Sequence, residues 1–311
     1  METLNKHTTQ QPSKNDLLIL GSGPAGLTAG IYAGRAGLNT KIIAGRERGG
    51  QLTGSSKVEN FPGFPDGING LELMDRTIKQ AELSGADIIY QDATSVDLTS
   101  TPKWIQTENG DKYEAEQILI ATGSTPKRLG IKGEQKFWGR GVSTCATCDG
   151  PLYKDKDVVV VGGGNNAFHE ALHLARMGAK VKLVHRREEF KADETLQEEL
   201  FSHPNIEILT NSELSSIQGE ETVKSVSILA KDQEDEKQIK TDGVFIAIGT
   251  VPNTDLFSNQ LELDEAGHIL TDQNLKTSTD KVYAAGDARD SRYKQAITAA
   301  AEGAMAVMNL K

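Results

Sequence analysis

Short runs of consecutive apolar residues, each ending in glycine, open two similar stretches of this chain. Leu17 to Leu20 and Val158 to Val161 each contain four apolar residues in a row, the pattern of a strand that is buried on both faces of a parallel sheet. A helical pattern and a second apolar run follow each glycine turn. Both stretches therefore predict a strand, a glycine turn, a helix and a second strand.

A shift of 141 positions superposes the two stretches, residues 17–44 on residues 158–185. Glycines between a buried strand and a helix let the backbone approach a pyrophosphate at the helix N-terminus. One G-x-G-x-x-G pattern is a weak signal, but two matched copies predict an α/β protein with two Rossmann-like dinucleotide-binding domains. The matched glycines are Gly21, Gly23 and Gly37 in the first copy and Gly162, Gly164 and Gly178 in the second.

A second internal match marks where each dinucleotide fold ends. Residues 120–123 and 246–249 are apolar runs that end in glycine, 126 positions apart, and Pro126 and Pro252 follow at matching places. Proline cannot continue a strand ladder, so these segments read as exits from the two folds. We expect a disordered tail over residues 1–15, an outer domain formed by residues 16–125 and 252–311, and a second domain, residues 126–251, inserted into the first.

Composition narrows the range of partners and compartments. The 311 residues carry a net charge of -10 and a sequence pI of about 5.2, so we expect neither nucleic acid nor a membrane surface as a partner. No apolar run is long enough to span a bilayer, and the polar N-terminus does not resemble a signal peptide. Two cysteines three positions apart favour a reducing compartment, and we expect the cytoplasm.

Cys145 and Cys148 are the only cysteines, and they lie just before the second glycine turn. A C-x-x-C pair can close a redox disulfide, supply half of a zinc site, or have no chemical role. Zinc needs two further ligands, and the nearby histidines belong to the predicted nucleotide fold, so we expect no metal. Beside two dinucleotide folds, the pair is interpreted as an outlet that passes two electrons to sulfur.

The second domain favours NADPH over NADH. An acidic residue at the end of the second strand usually binds the ribose 2'-hydroxyl, but here the strand runs into His185, Arg186 and Arg187, with Lys191 close behind. Fixed positive charge and guanidinium donors suit a 2'-phosphate. A solvated basic turn is the alternative interpretation.

The first domain leaves its ligand open on sequence alone. It also lacks an acidic residue at the end of its second strand, since Glu47 comes a little late. Near the C-terminus, Asp287 follows an apolar strand and Gly286, just before a predicted helix. Its carboxylate could accept hydrogen bonds from a ribityl chain, which indicates a flavin nucleotide, or it could simply cap the helix.

The order of the motifs resembles the low-molecular-weight, bacterial-type thioredoxin reductases over nearly all of the chain beyond the tail. This resemblance implies a homodimeric flavoprotein disulfide reductase that uses FAD and NADPH to reduce the disulfide of thioredoxin. The motifs are Gly21-x-Gly23-x-x-Gly26, Gly49-Gly50-Gln51-Leu52, Val58-Glu59-Asn60, Ala121-Thr122-Gly123, Cys145-Ala146-Thr147-Cys148-Asp149-Gly150, Gly162-x-Gly164, His185-Arg186-Arg187, Ala285-Gly286-Asp287 and Tyr293-Lys294-Gln295-Ala296.

The resemblance also implies roles for individual residues. Cys145 and Cys148 form the redox disulfide, Cys148 faces the flavin, and Asp149 is the acid beside the pair. The residues implied to bind FAD are Gly21, Ser22, Gly23, Pro24, Ala25, Gly26, Ala44, Gly45, Glu47, Arg48, Gly49, Gly50, Gln51, Leu52, Asn60, Ala121, Thr122, Gly123, Gly286, Asp287, Lys294, Gln295 and Ala296. Those implied to bind NADPH are Gly162, Gly164, Asn165, Asn166, Ala167, His185, Arg186, Arg187 and Lys191.

Four positions depart from the family pattern. Lys191 and Lys294 stand where arginine is usual, Asn166 where serine or threonine is common, and His169 where glutamate is common. Lysine keeps the positive charge but loses the bidentate fork of arginine. The strictness of the preference for NADPH over NADH is therefore left open.

The predicted arrangement requires domain movement. The cysteine pair and the NADPH site lie in the same domain, whereas the flavin belongs to the other, so only one of them can reach the flavin at a time. Connections near residues 122–127 and 249–254, each with glycine and proline, are natural hinges. The sequence does not decide which cysteine attacks the substrate, and a glutaredoxin-like or peroxidase-type partner, or a flavin-binding redox sensor without turnover, remain alternatives.

Overall fold

The computed structural model describes residues 15–46, 48–55, 57–231, 235–290 and 292–310. Residues 1–14 of the expected tail and Glu47 lie outside the described residues. Asn15, which the prediction placed in the tail, is instead the first residue of a strand. It is buried, and its side-chain amide donates a hydrogen bond to the Glu114 carbonyl oxygen at 2.8 Å.

The described residues contain seven α-helices and seventeen strands. The helices are α1 (Pro24–Arg35), α2 (Gly70–Leu83), α3 (Glu134–Phe137), α4 (Ala146–Asp149), α5 (Asn165–Arg176), α6 (Glu194–Ser202) and α7 (Ala296–Met308). The strands are β1 (Asn15–Leu20), β2 (Thr40–Ile43), β3 (Asp87–Ile89), β4 (Ala93–Asp97), β5 (Lys103–Thr107), β6 (Lys112–Ile120), β7 (Ser124–Pro126), β8 (Val142–Ser143), β9 (Asp157–Val161), β10 (Lys180–Val184), β11 (Ile206–Leu209), β12 (Ser212–Gly219), β13 (Val223–Ala230), β14 (Lys237–Lys240), β15 (Gly243–Ile246), β16 (Thr250–Pro252) and β17 (Val282–Ala284).

The chain divides into two compact units. Unit 1 contains residues up to 53, 71–125 and from 252 onward, and unit 2 contains residues 54–70 and 126–251. The segment 54–70, which we expected in the outer domain, groups with unit 2. Its backbone runs against Gly139, where a Cβ atom would lie 2.7 Å from the Gly54 carbonyl oxygen.

Each unit contains a parallel sheet with the same strand order at its centre. In unit 1 the order is β3-β2-β1-β6, extended by β17 and by the antiparallel strands β5 and β4. In unit 2 the order is β11-β10-β9-β15-β8, all parallel, beside a three-stranded antiparallel sheet β12-β13-β14. The predicted fold class, two Rossmann-like α/β folds, is confirmed.

The internal repeat extends to single hydrogen bonds. The Gly21 N–H donates to the Ile43 carbonyl oxygen at 2.9 Å, and its counterpart on Gly162 donates to Val184 at 3.1 Å. Each bond ties the start of a glycine turn to the end of the neighbouring strand. Strands β1 and β9 each contain four consecutive apolar residues that are buried, which is why the sequence shows them as short continuous apolar runs, whereas β2 and β10 also contain polar residues.

Helix α1 packs closely on α7 within unit 1. A Cβ atom on Gly303 would lie 2.1 Å from the Ala25 carbonyl oxygen, so the absence of a side chain at this position allows the two helices to approach. None of the helices in the described ranges is long and apolar enough to cross a membrane.

Candidate active site

The first glycine turn is closed on its strand side and open at the start of α1. A Cβ atom on Gly21 would lie 2.2 Å from the Ala121 carbonyl oxygen, and one on Gly26 would lie 2.0 Å from the Gly21 carbonyl oxygen. A Cβ atom on Gly23 would meet no atom within 4 Å. Helix α1 begins directly after Gly23, with no side-chain cap and no acidic residue in its first turn. This arrangement fits a pyrophosphate that approaches the backbone at Gly23.

Ser22 joins this turn to the loop after β2. Its hydroxyl donates to the Ala44 carbonyl oxygen at 2.9 Å and accepts the Gly49 N–H at 3.1 Å. Gly50 lies against Gly23, since a Cβ atom on Gly50 would be 3.2 Å from the Gly23 Cα. The structure therefore brings together two of the segments predicted to bind FAD.

A chain of polar side chains links three distant parts of unit 1. The Gln51 amide donates to the Ser124 carbonyl oxygen at 2.6 Å, and the Ser124 hydroxyl donates to Asp287 Oδ2 at 3.1 Å. Burial raises the pKa of Asp287, and the hydrogen bond from Ser124 opposes that rise. Gln51 and Asp287 were predicted from the sequence, but Ser124 was missed because it lies one residue beyond the Ala121-Thr122-Gly123 motif.

The turn that carries Asp287 is fixed from α7. Glu302 accepts the Gly286 N–H at 2.7 Å and forms an ion pair with Arg289 at 2.5 Å. Lys294 lowers the pKa of Asp287 by its positive charge. Gln295 is the N-cap of α7, where its side chain and that of Thr298 form a reciprocal capping box, and Ala296 is the first helical residue.

Asn253 holds the segment that follows β6. Its side-chain amide donates to the Thr122 carbonyl oxygen at 2.9 Å, and its backbone N–H donates to Gly123 at 2.9 Å. The Thr122 hydroxyl in turn donates to the Asn253 carbonyl oxygen at 2.7 Å. Asn253 follows Pro252 and belongs to no nucleotide-binding motif, so sequence reasoning missed it.

Other residues predicted to bind FAD have different surroundings. Leu52 packs on the apolar core of unit 1, whereas Arg48 is exposed and lies 3.4 Å from an Asp75 carboxylate oxygen. Asn60 is exposed in the segment 54–70, which belongs to unit 2. The roles of these residues remain predictions.

The second glycine turn repeats the cradle of the first. A Cβ atom on Gly162 would lie 2.6 Å from the Ala247 carbonyl oxygen, whereas one on Gly164 would meet nothing within 4 Å. Helix α5 starts directly after Gly164, without a side-chain cap or an acidic residue in its first turn. The Asn165 side chain exchanges two hydrogen bonds with Asp193, at 2.9 and 2.8 Å. These features fit the pyrophosphate of a second dinucleotide.

The basic turn lies directly beside this cradle. A Cβ atom on Gly163 would fall 2.2 Å from the His185 ring, and the Lys191 N–H donates to the Gly163 carbonyl oxygen at 2.8 Å. Burial lowers the pKa of His185, whose ring stacks on Phe190 with ring centroids 4.9 Å apart. His185 is therefore mainly neutral at pH 7, and the fixed positive charge comes from its neighbours.

Arg186 and Arg187 are exposed. Among the described residues, neither guanidinium has an acidic partner within 4.0 Å. Two unpaired guanidinium groups next to a dinucleotide cradle can bind a phosphate dianion with several charge-assisted hydrogen bonds. Asn166, at the start of α5, is also exposed.

The two cysteines form a disulfide at the start of α4. Cys145 is the N-cap of this short helix, and its Sγ accepts the Cys148 N–H at 3.1 Å. The Cys145 N–H donates to the Ser143 hydroxyl at 3.1 Å. Both cysteines are half-buried, while Thr147 between them is exposed. The predicted pairing of Cys145 with Cys148 is confirmed.

Three titratable side chains belong to the surroundings of the disulfide turn. Burial raises the pKa of Asp149, against a hydrogen bond from Ser143 that lowers it. Burial also raises the pKa of Glu170 to about 7, and the Ala146 N–H donates to that carboxylate. Burial and the charge of Asp149 raise the pKa of Tyr153 to about 12. Carboxyl groups with a raised pKa can donate protons near neutral pH.

Known proteins match this chain along nearly its whole length. The family model described as pyridine nucleotide-disulphide oxidoreductase matches residues 15–303. A protein of Rickettsia felis named thioredoxin reductase is 44% identical over 299 residues, which is 95% of this chain and 96% of the relative. One of Dictyostelium discoideum with the same name is 43% identical over 303 residues, 94% of this chain and 95% of the relative. The solved thioredoxin reductase from Giardia duodenalis is 40% identical, with a TM-score of 0.91 over 96% of this chain and 98% of its own.

Proposed function

The chain belongs to the thioredoxin reductases of the pyridine nucleotide-disulphide oxidoreductase family, and on that premise we propose that it passes electrons from NADPH through FAD and the Cys145–Cys148 disulfide to thioredoxin. The family consists of NADPH-dependent flavoenzymes. The observation that carries the proposal is a closed disulfide that lies in the same unit as the second glycine turn.

The two cradles fit the two cofactors of the family. When bound, NADPH supplies a hydride, and FAD accepts it and delivers two electrons to a disulfide. We assign FAD to unit 1, where the turn around Gly23 would hold the pyrophosphate and Asp287 would accept hydrogen bonds from the ribityl chain. We assign NADPH to unit 2, where Gly164 would lie at the pyrophosphate and Arg186 and Arg187 would bind the 2'-phosphate.

The cysteines and Asp149 carry the thiol chemistry. Two electrons break the Cys145–Cys148 bond and leave two thiolates, of which one takes up a proton and the other remains the nucleophile. Asp149 is buried in an environment that favours its protonated form, so it can donate one proton and later recover it. One cysteine, as the thiolate, then attacks the thioredoxin disulfide to form a mixed disulfide, and the other cysteine displaces the reduced thioredoxin and closes the pair again.

Domain rotation completes the proposed cycle. The chain passes between the units at residues 53–54, 70–71, 125–126 and 251–252, and β7 and β16 at the last two crossings pair as a two-stranded sheet. Gly123 and Gly249 flank the crossings with φ of 68° and 96°, and a Cβ atom on either would meet nothing within 4 Å. Glycines in open space absorb backbone rotation at low energetic cost.

We also propose a homodimer that works in the cytoplasm. The family resemblance supports the dimer, and α1 and α7 expose large apolar side chains, including Tyr32 and Met308. Exposed apolar side chains mark an interaction surface where they form a contiguous patch. Light scattering of the purified protein tests the dimer, and a mass of one chain at micromolar concentration would contradict it.

A stepwise anaerobic reduction tests the electron path. Purified holoenzyme is mixed with NADPH or NADH, and the bleaching of the flavin absorbance is followed before and after thioredoxin is added. NADPH bleaches the flavin, and thioredoxin restores the colour in wild type but not in Cys148→Ser. Bleaching by NADH but not by NADPH would overturn the cofactor assignment. Turnover in Cys148→Ser at the native rate would exclude the cysteine pair as the outlet.

A further inference from the structure

Glu170 is a half-buried carboxyl that the electron path described above does not use. It lies on α5, the helix that begins directly after the second glycine cradle. Its Oε2 accepts the N–H of Ala146, the residue directly after Cys145. This hydrogen bond joins the helix of the nucleotide fold to the turn that carries the disulfide.

We propose that Glu170 is a positioning residue of the redox centre: it holds the cysteine turn on α5 through the Ala146 N–H, and its negative charge acts on the neighbouring Asp149. The inference rests on the proposed function, because it concerns the same disulfide. It adds a second carboxyl that acts without touching the sulfur atoms.

The contacts of the cysteine turn support this role. Helix α4 has only four residues, too few to be stable without outside contacts. Its backbone is fixed at two points by side chains, since Ser143 accepts the Cys145 N–H and Glu170 accepts the Ala146 N–H. Ala146 itself is buried in the apolar core beneath α5. Opening and closing a disulfide requires the two sulfur atoms to stay in register, so a fixed turn favours both steps.

The charges around Glu170 support the second part of the proposal. Burial raises the pKa of Glu170 to about 7 against the hydrogen bond from Ala146, and like-charge repulsion from Asp149 adds to the rise. Burial and the charges of Asp149 and Asp242 raise the pKa of Tyr153, which lies in the turn that follows α4. His173 lies one turn along α5, with its ring beside Gly150. Because repulsion is mutual, an ionised Glu170 favours the protonated form of Asp149, which is the form that donates a proton.

Two conservative variants separate the hydrogen bond from the charge. Glu170→Gln keeps an acceptor oxygen at the same reach but removes the charge, whereas Glu170→Asp keeps the charge but is one methylene too short to reach Ala146. Glu199→Gln is the matched control, since Glu199 is an exposed residue of the same unit, paired with Arg176 of α5. Circular dichroism and flavin content establish that each holoenzyme is folded.

The test uses three readouts between pH 5.5 and 9. They are the alkylation rate of the reduced cysteines, hydrogen exchange of the Ala146 amide, and kcat/KM with thioredoxin. In Glu170→Gln, we expect about threefold to tenfold faster alkylation at pH 8, because loss of a nearby negative charge stabilises a thiolate. The pH dependence of kcat/KM shifts to lower pH, and exchange at Ala146 is unchanged. In Glu170→Asp, exchange at Ala146 accelerates by about tenfold or more, since a fixed amide becomes free to open.

The outcomes distinguish this inference from the proposed function. If wild type reduces thioredoxin but the pH profiles of both Glu170→Gln and Glu199→Gln coincide with the wild-type profile, the role of Glu170 is refuted. If the alkylation profile of Glu170→Gln shifts as expected but wild type does not reduce thioredoxin, the proposed function fails and the role of Glu170 stands. Ala146 exchange that is equally slow in wild type and Glu170→Asp would refute the positioning contact.

Discussion

Two glycines of the first nucleotide turn, three residues apart, should respond in opposite ways to the addition of one methyl group. In Gly26→Ala, the new Cβ would lie 2.0 Å from the Gly21 carbonyl oxygen, more than about 1 Å closer than an ordinary carbon–oxygen contact. The contacted oxygen is a backbone atom, so the backbone has to move. In Gly23→Ala, the Cβ enters open space, and the backbone angles of φ -72° and ψ -177° are ones that alanine readily adopts.

The two variants therefore separate folding from cofactor binding. We expect Gly26→Ala to lower the free energy of unfolding by about 1–3 kcal/mol, the usual cost of an overpacked core. Gly23→Ala should change it by less than about 0.5 kcal/mol, as for most substitutions away from packed contacts. If the pyrophosphate of FAD approaches Gly23, however, the added methyl group occupies part of that space. Gly23→Ala should then weaken FAD binding by about tenfold or more, which corresponds to at least about 1.4 kcal/mol.

Urea denaturation of the apoprotein measures stability without the contribution of bound FAD, and titration of the refolded apoprotein with FAD measures affinity. Gly37→Ala is the control, because Gly37 lies in a turn outside the cradle where a Cβ atom also meets nothing within 4 Å. We expect it to leave FAD affinity unchanged, although it costs some stability because φ of 78° is strained for alanine. Unchanged FAD affinity in Gly23→Ala would refute the placement of the pyrophosphate at this turn. Equal stability loss in Gly23→Ala and Gly26→Ala would refute the packing argument.

Four other substitutions test the proposed acid, the basic turn, the carboxyl on α5 and the hinge. Asp149→Asn should lower kcat with thioredoxin by about 10²–10⁴-fold, the usual contribution of a general acid, while NADPH still bleaches the flavin; stopped-flow absorbance checks both, and a native kcat would exclude Asp149 as the acid. Arg187→Gln should raise KM for NADPH but not for NADH by about tenfold, because it removes a charge-assisted phosphate contact; equal effects on both coenzymes would show that the basic turn is only solvated. Glu170→Gln should raise the free energy of unfolding at pH 8 by up to about 3 kcal/mol, because folding raises the pKa of Glu170 from 4.5 to about 7 and each pKa unit corresponds to about 1.36 kcal/mol. This cost of burying the ionised carboxylate develops as the pH increases through that range and is absent below about pH 4. Urea midpoints at pH 4 and 8 measure it, and an equal effect at both pH values would contradict the prediction. Gly249→Ala should slow turnover without changing flavin content, because φ of 96° is strained for alanine; unchanged kcat would argue against a hinge at this residue.

The sequence was sufficient for the parts of the protein that repeat or that depend on neighbours in the chain. The two glycine turns, their helices and the core strands were all predicted, because each is specified by a short apolar run and by glycines within about thirty residues. The pairing of Cys145 with Cys148 was predicted because the C-x-x-C pair lies beside two dinucleotide folds and because the order of the motifs resembles that of the thioredoxin reductases. The division between two nucleotide folds was predicted from internal matches in the sequence, which gave no sign that residues 54–70 group with unit 2.

Only the tertiary structure shows which side chains meet across large separations. Ser124 connects Gln51 to Asp287, although Ser124 and Asp287 are 163 positions apart. Asn253 binds the Thr122 carbonyl oxygen from 131 positions away. Glu170 reaches the cysteine turn from a helix whose sequence shows only the pattern of a nucleotide fold. These contacts depend on the order in which strands assemble into the parallel sheets, and no local pattern in the sequence records that order. The sequence by itself determined the two cradles and the redox pair, whereas the packing of strands and helices decided which polar groups are buried beside them, and burial is what changes their pKa.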